Sequence, residues 1–505
     1  MNNRIYEQIY TNVIEPTYGA KRDAVKDAEL ELDIGSHEYS ISSRIDMTKH
    51  ETYSIDPVGC TDADDAFSIF TENGKMYLAI HIADPTEYIP LSSALWRDIR
   101  DRVTTKYPSN RPPIHMMTKK VLSLASLQGV QRVILTQHSS GVHTIKKAIT
   151  VLSEINPDTY EIVNEIKLLF TDIRVGEETQ YTYEQASENM DTVEALKHGI
   201  GISEVLKTKR GQITKGVKLS EVNASYPVFE EDRVHLRTSK DGEKQMKEMI
   251  AEFAIFANSF VGEYLKIHLN VGIFRTCNAS AWLQNVYQGI SGQDLLKEII
   301  SNGIRADYLS HVSSHDLVGM AEYCHFTSPI RRLADCVCHY LLKYIHLSLP
   351  IEAMPFTESE LEEYANRCLT VAKQDKKTQY LDIKFRLLQV IHNMLLRGES
   401  VKLEYYVTSY SGLFLNVIIS KIHSIETFQT SDKTSNGSDG CEATKGSVGC
   451  EATFDVHMSY TLRVKKYKKP IEPKQIHRVE ITRVNCFEKH DENTLPELDT
   501  QLLCG

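Results

Sequence analysis

The sequence predicts an α+β fold with a small β-barrel at its C-terminal end, and three observations carry this prediction. In FSIFTENGKMYLAIHIAD two apolar runs flank Asn73 and Gly74, the pair that favours the type I′ turn of a β-hairpin. Helical spacing follows Ser328, and it recurs after a capping box formed by Thr357 and Glu360. The later runs SVKLEYYVTSY, GLFLNVIIS and VHMSYTLRV are typical of strands in a small β-barrel.

The composition is that of an ordinary globular protein. The 505 residues are 41% hydrophobic and 25% charged, which allows one large catalytic core and at least one smaller domain. No apolar run approaches the length of a membrane span, and the N-terminus lacks a signal-peptide core, so we expect no membrane partner and a cytoplasmic location. The ten cysteines show no zinc or disulfide spacing and are expected to be reduced.

The net charge of -11 argues against a protein that coats nucleic acid by bulk electrostatics. A local basic groove stays open, because residues 207–218 and 463–478 are rich in lysine and arginine. The second segment has Tyr467 among its lysines, a mixture suited to phosphate contact and base stacking. The alternative for that segment is a solvated strand edge that lysines protect from pairing.

The hairpin is preceded by DPVGCTDADD, which contains Asp56, Asp62, Asp64 and Asp65 and no lysine or arginine. Clustered carboxylates raise one another's pKa unless a cation neutralises them, so the run predicts a Mg²⁺ site. A turn centred on Asn73 and Gly74 places Asp65 opposite Ile82 and returns Asp84 to the acidic end. We therefore expect the hairpin to support a cage of carboxylates at one edge of a sheet.

The acidic run has two alternative interpretations. A solvated acidic turn is the simpler structural interpretation. A calcium-binding EF-hand loop is excluded, because counting from Asp62 the glycine position holds Phe67 and the final glutamate position holds Asn73.

A second constellation is YCHFTSPIRRLAD, residues 323–335, followed by helical spacing. Ser328 followed by proline suits a helix start, which would place Arg331 and Arg332 in the first turn, beside free backbone N–H groups. This arrangement predicts a phosphate ligand. An ion pair between Asp335 and one of the two arginines is the alternative explanation, and both stay open.

Together, DPVGCTDADDAFSI, HIADPTEYI and YCHFTSPIRRLAD resemble the ribonuclease II and ribonuclease R family, whose catalytic domain is called RNB. The resemblance covers residues 44–395. It implies an RNB-type catalytic domain with a mixed sheet and packed helices. It also implies 3′ to 5′ exoribonuclease activity on single-stranded RNA, which releases nucleoside 5′-monophosphates by attack of water. The implied cofactor is Mg²⁺, as two ions, with Mn²⁺ as a substitute.

The resemblance also assigns roles to individual positions. Asp56, Asp62, Asp64 and Asp65 would hold the metal ions or position the attacking water, with Asp56 and Asp65 as the direct ligands. Tyr107 matches the tyrosine that stacks on the terminal base. Arg331 matches the arginine that holds the scissile phosphate, and Ser328 in the same segment is assigned to RNA binding.

Three features depart from the family pattern. Residues 1–43 are too few for the two N-terminal OB-folds of the family, so we expect lower processivity and a protein partner in place of those modules. Lys373 stands where bacterial members have a glutamate. The C-terminal OB-like domain, residues 396–505, carries a Ser/Thr/Gly-rich stretch at about 427–453 that repeats GCEAT and is expected to be a flexible insert.

The leading hypothesis is a monomeric, active exoribonuclease. Two alternatives stay open at this point. One is a catalytically inactive RNA-binding or adaptor protein, which the complete set of four aspartates disfavours. The other is a metal-dependent phosphodiesterase that acts on DNA or small nucleotides, which Tyr107 and HFTSPIRR disfavour.

Overall fold

The computed structural model describes residues 2–128, 144–214, 225–230, 233–279, 281, 299, 304–411, 414–425, 451–463, 476–484 and 498–502. The strands in these residues are β1 (Ile45–Asp46), β2 (Ser54–Asp56), β3 (Asp65–Glu72), β4 (Lys75–Ala83), β5 (Thr144–Ile155), β6 (Lys167–Val175), β7 (Gln180–Thr182), β8 (Ser225–Glu230), β9 (Arg233–Thr238), β10 (Phe274–Thr276), β11 (Asp307–Leu309), β12 (Ser400–Ser411), β13 (Phe414–Ile425), β14 (Glu451–Arg463), β15 (Ile476–Val484) and β16 (Leu498–Leu502). The α-helices are α1 (Asn2–Ile9), α2 (Ala24–Glu31), α3 (Ala94–Arg102), α4 (Lys119–Ala125), α5 (Tyr183–Asn189), α6 (Glu194–Thr214), α7 (Asp241–His268), α8 (Leu333–His346) and α9 (Glu358–Leu396).

The sheet that contains the β3–β4 hairpin has the strand order β1-β6-β5-β4-β3. Strand β1 runs parallel to β6 and the other neighbours are antiparallel, so the sheet is mixed. Helices pack against it through one continuous core that includes Phe67, Ile82, Phe253 and Leu341. The predicted α+β fold is therefore confirmed.

The β3–β4 hairpin forms as predicted. Asn73 and Gly74 have φ angles of 52° and 73°, the left-handed conformation that a type I′ turn requires at both central positions. Asp65 lies opposite Ile82 in the ladder, which is the predicted register. The acidic end of the hairpin is thereby fixed in place by regular backbone pairing.

The two predicted helices differ in how well the sequence located their starts. Helix α9 begins after Thr357, and the capping box with Glu360 is present. Helix α8 begins at Leu333, so the prediction that Arg331 and Arg332 lie in its first turn is wrong. The segment before α8 stays a turn because the carboxylates of Asp335 and Asp64 bind the backbone N–H groups of Ser328 and Ile330.

The described residues of the C-terminal region form five antiparallel strands in the order β14-β13-β12-β15-β16. Five antiparallel strands agree with an OB-like domain, and closure into a barrel stays a prediction. Their inner face forms a second core with the end of α9 and the N-terminal segment, where Tyr10, Phe385 and Val417 are all buried.

Parts of some predictions lie outside the described residues. These are most of the GCEAT-repeat stretch at about 427–453, the end of the basic segment 207–218 and most of the basic segment 463–478. Among the residues that are described, no helix is long and apolar enough to cross a membrane.

Candidate active site

The acidic run lies where β2 ends and β3 begins. Asp56 is the last residue of β2, which pairs in parallel with β7, and Asp65 is the first residue of β3. The connecting loop is held to the sheet because the Ala83 N–H donates to the Asp64 carbonyl at 2.8 Å. On its other side, the Leu127 N–H donates to the Ala63 carbonyl at 2.9 Å. The four aspartates therefore stand on fixed backbone.

Asp64 connects this loop to the segment before α8. Its buried carboxylate accepts hydrogen bonds from the Ile330 N–H at 2.8 Å and from Arg331 Nε at 2.9 Å. Arg331 Nη2 also donates to Ser328 Oγ at 3.1 Å, while 45% of the Arg331 side chain stays exposed. Burial lowers the pKa of Arg331, but the charges of Asp64, Tyr107 and Asp65 together outweigh this and raise it, so the guanidinium is charged.

Asp62 connects the loop to a different segment. Tyr107 donates its hydroxyl proton to Asp62 Oδ2 at 2.6 Å. His115 Nδ1 lies 3.8 Å from the same oxygen, and the thiol of Cys60 lies 3.7 Å from Asp62 Oδ1. Burial, followed by the charge of Asp62, raises the pKa of Tyr107, so its hydroxyl keeps the proton that it donates.

Asp56 and Asp65 differ from the other two aspartates in their partners. Within the described residues neither forms an ion pair with Lys, Arg or His, and the thiol of Cys60 lies 3.5 Å from Asp56 Oδ1. Burial raises the pKa of Asp56 to about 7, with further contributions from the charges of Asp65 and Asp62. Burial also raises the pKa of Asp65.

The predicted cage of four carboxylates stays a prediction. No group of three or more His, Cys, Asp or Glu side chains is arranged to hold a metal ion in the part of the chain that the structure describes. Asp62 and Asp64 are instead engaged by Tyr107 and Arg331. The remaining pair still fits Mg²⁺ by its chemistry, because Asp56 and Asp65 interact electrostatically and neither forms a direct ion pair within the described residues.

Asp84 lies at the acidic end of the hairpin, as predicted. Its buried carboxylate binds Arg44 Nη2 at 2.6 Å and Lys343 Nζ at 3.0 Å. Both cations come from segments distant in sequence, and no local pattern around Asp84 indicated them. A carboxylate with two buried cationic partners serves the structure of the interior.

The other sequence predictions have mixed outcomes. The ion pair proposed as an alternative for Asp335 is present with Arg332, at 2.7 Å, while Arg331 pairs with Asp64 instead. Ser328 is buried beneath Arg331. Lys373 lies on the exposed side of α9.

Sequence reasoning missed Cys60 and His115 as neighbours of Asp62. Cys60 lies inside the acidic run, but a single cysteine gives no sequence signal of a contact with an aspartate. His115 lies in the segment RPPIHMM, where nothing in the local pattern points to a contact with an acidic loop more than fifty residues earlier.

Comparison with known proteins shows what the chain resembles. The family model of the RNB domain matches residues 44–347, more than half of the chain. Ribonuclease R of Helicobacter pylori is 24% identical over 417 residues, which cover 73% of this chain and 61% of that protein. The chain therefore spans less than two thirds of that relative.

Two solved structures share the fold. The structure of Mycoplasma genitalium RNase R in complex with double-stranded RNA has a TM-score of 0.67 at 13% identity, and covers 99% of this chain and 82% of that chain. Yeast Ssd1, a pseudonuclease, has a TM-score of 0.57 at 16% identity, and covers 84% of this chain and 58% of that chain.

Proposed function

Because the chain belongs to the RNB domain family, we propose that it is a Mg²⁺-dependent 3′ to 5′ exoribonuclease. It would hydrolyse single-stranded RNA to nucleoside 5′-monophosphates. The observation that carries this proposal is the pairing of Asp64 with Ile330 N and Arg331 Nε. This contact joins the acidic run to a segment 267 residues later and sets a phosphate-binding cation beside a cluster of carboxylates.

Asp56 and Asp65 are proposed as the direct ligands of the two divalent ions, and Mn²⁺ would substitute for Mg²⁺. Their deprotonated oxygens are the hard donors that these ions prefer. When bound, the ions supply activation of water and neutralisation of charge during in-line displacement. Asp62 and Asp64 complete the acidic wall of the site, and each also holds a side chain that faces the substrate.

Arg331 is proposed to bind the phosphoryl oxygens of the last phosphodiester. Arg331 donates from Nε to Asp64 and from Nη2 to Ser328, and the exposed outer edge of the guanidinium can bind the substrate. Because Ser328 is buried, its proposed part in RNA binding is indirect, through the orientation of Arg331. Charge that develops on the phosphoryl group in the transition state would meet a cation already held in position.

Tyr107 is proposed to stack on the 3′-terminal base. Base stacking on an aromatic ring contributes about 1–3 kcal/mol and tolerates any base, because every base has a flat face. Tyr107 is 40% exposed, in a segment that borders the acidic loop. Degradation without sequence preference follows from such a contact.

The proposal extends to features outside the site. It includes a monomeric protein and a cytoplasmic location. The second candidate function is RNA binding without cleavage, because the pseudonuclease Ssd1 shows that the fold occurs without nuclease function.

One assay separates these functions. Wild type, Asp64→Asn and Asp241→Asn are incubated with 5′-labelled RNA and with DNA of the same sequence, in Mg²⁺ and in EDTA. We expect wild type to shorten the RNA from its 3′ end in Mg²⁺ only, and Asp64→Asn to be about 10²–10³-fold slower because Arg331 loses its charged partner. Asp241, an ion-paired aspartate on the surface of α7, is the matched control and should leave the rate unchanged.

The contrary outcomes are distinct. Intact RNA with wild type in Mg²⁺, together with retained RNA binding, would favour the inactive binding protein. Equal degradation of RNA and DNA would favour a general phosphodiesterase. An Asp64→Asn rate equal to that of wild type would remove the Asp64 and Arg331 pair from the mechanism.

A further inference from the structure

We propose that Asp62 is a positioning residue for the base-binding tyrosine: its carboxylate holds the Tyr107 ring in the orientation that receives the 3′-terminal base of RNA. This inference deepens the proposed function and rests on it. It gives Asp62 a task besides its place in the acidic run. It also links the part of the site that binds the base to the part that cleaves the phosphodiester.

The first step is the contact itself. The hydroxyl of Tyr107 lies at the buried end of the ring and donates to Asp62 Oδ2 at 2.6 Å, while Asp62 is only 7% exposed. Tyr107 as a whole residue is 40% exposed. The hydrogen bond from the hydroxyl restricts the rotation of the ring, and the partial exposure of Tyr107 leaves surface for a base. Stacking a base on a ring that is already oriented costs little entropy.

The second step is the backbone on either side of Tyr107. Lys106 and Ile114 exchange two backbone hydrogen bonds of 3.0 and 2.9 Å. On the other side, the Ser109 N–H donates to Asp382 at 2.8 Å, and Arg386 donates to the Ser109 carbonyl at 2.8 Å. With the main chain fixed on both sides, the torsions of the side chain are the freedom that remains, and the bond to Asp62 restricts them.

The third step is that Asp62 is itself held. Cys60 approaches Oδ1 at 3.7 Å and His115 approaches Oδ2 at 3.8 Å, so the carboxylate has neighbours at both oxygens. Burial raises the pKa of the Cys60 thiol, which therefore stays protonated and can donate weakly to the carboxylate. Oδ2 faces Tyr107 and Oδ1 faces the acidic loop, so one side chain spans both halves of the site.

The test separates the hydroxyl of Tyr107 from its ring. An RNA oligonucleotide with 2-aminopurine as its 3′-terminal base is titrated with protein in EDTA, and both the affinity and the quenching of its fluorescence are measured. We expect Tyr107→Phe to weaken binding about fivefold and to reduce the quenching, because the ring remains but is no longer tied down. Tyr107→Ala should weaken binding about 10- to 100-fold, because the stacking surface is gone.

Two further variants address Asp62 and the general effect of removing a hydroxyl. Asp62→Ala should weaken binding as much as Tyr107→Phe, whereas Asp62→Asn keeps an acceptor for the tyrosine and should recover most of the affinity. Tyr53→Phe is the matched control, because the Tyr53 hydroxyl also donates to a carboxylate, that of Glu51, at 2.6 Å. It should bind RNA like wild type.

Kinetics in Mg²⁺ provide a second measurement. Tyr107→Phe should raise KM and leave kcat close to that of wild type, since the hydroxyl acts on base binding and not on the reacting phosphate. Equal affinity and equal quenching for wild type and Tyr107→Phe would overturn this inference and leave the proposed function standing. Failure of wild type to bind RNA would overturn both.

Discussion

Two aspartates at the same end of the β3–β4 hairpin have opposite electrostatic surroundings. Asp65 begins β3 and Asp84 follows β4, so the two residues lie at the same end of the ladder. Asp84 is bound by the buried cations Arg44 and Lys343. Asp65 and its neighbour Asp56 form no ion pair in the described part of the chain. The fold thus gives neighbouring carboxylates different partners. We call Asp84 the balanced side, because cations neutralise its charge, and Asp56 with Asp65 the unbalanced side, because they form no ion pair in that part of the chain.

The pKa directions follow from this difference. Burial by itself would raise the pKa of Asp84, but Lys343 and Arg44 lower it well below its usual range. Burial raises the pKa of Asp56 to about 7, and the charge of Asp65 adds to the effect. A balanced carboxylate stabilises the folded chain, whereas an unbalanced pair stores a cost that a divalent cation would remove.

The largest expected effect is on the balanced side. Asp84→Asn keeps the size of the side chain but removes its charge, which leaves Arg44 and Lys343 to share the single carboxylate of Glu87. Because removal of one partner leaves uncompensated buried charge, the free energy of unfolding should fall by about 3–5 kcal/mol. Denaturant unfolding in EDTA measures it.

A second substitution checks the cause. Adding Lys343→Met to Asp84→Asn restores equal numbers of buried acidic and basic groups and should recover part of the lost stability. A double variant as unstable as the sum of both single variants would show that packing, and not charge balance, accounts for the loss.

The same substitution of Asn for Asp should change the free energy of unfolding in the opposite direction on the unbalanced side. Asp56→Asn in EDTA should raise the free energy of unfolding at neutral pH, because the amide carries no charge to bury beside Asp65. A shift in pKa from 3.8 to about 7 corresponds to at most about 4 kcal/mol. Unfolding curves of wild type and variant at pH 7.5 measure the difference, and a destabilised variant would contradict the argument.

The pH dependence of the free energy of unfolding is an independent test of the direction expected for Asp56→Asn. Well below pH 3.8 Asp56 is protonated in both the folded and the unfolded state, so its ionisation does not make the free energy of unfolding depend on pH there. Between 3.8 and about 7 the folded chain keeps a proton that the unfolded chain has lost, so stability falls as pH rises through this window and levels off above it. The advantage of Asp56→Asn should therefore grow from pH 4 to pH 7.

Sequence patterns predict the features that neighbouring residues determine, such as turns, strand register and helix starts. Asn73 and Gly74 specify the turn, which in turn specifies that Asp65 lies opposite Ile82, and Thr357 with Glu360 locates the start of α9. The acidic run was predicted as a site from its own composition. These features depend on residues close together along the chain.

Partners from distant segments were beyond the sequence patterns. The balance at Asp84 depends on Arg44 and Lys343, and the start of α8 depends on Asp64 binding the Ile330 N–H. The hydroxyl of Tyr107 reaches Asp62 across 45 positions. Such contacts follow from how the elements pack, and neither periodicity nor spacing records them.

The smallest predicted effect concerns the cation that the unbalanced side lacks. Mg²⁺ at about a hundred times its dissociation constant should stabilise wild type by about 2.7 kcal/mol relative to EDTA, through binding to the folded state alone. The increment should grow as pH rises through about 7, because Asp56 must lose its proton to act as a ligand. It should vanish in Asp65→Asn and persist in Asp84→Asn, since Asp84 already has its cations. Thermal unfolding of the three proteins with and without Mg²⁺ measures it, and an equal shift in all three would place the ion away from Asp65.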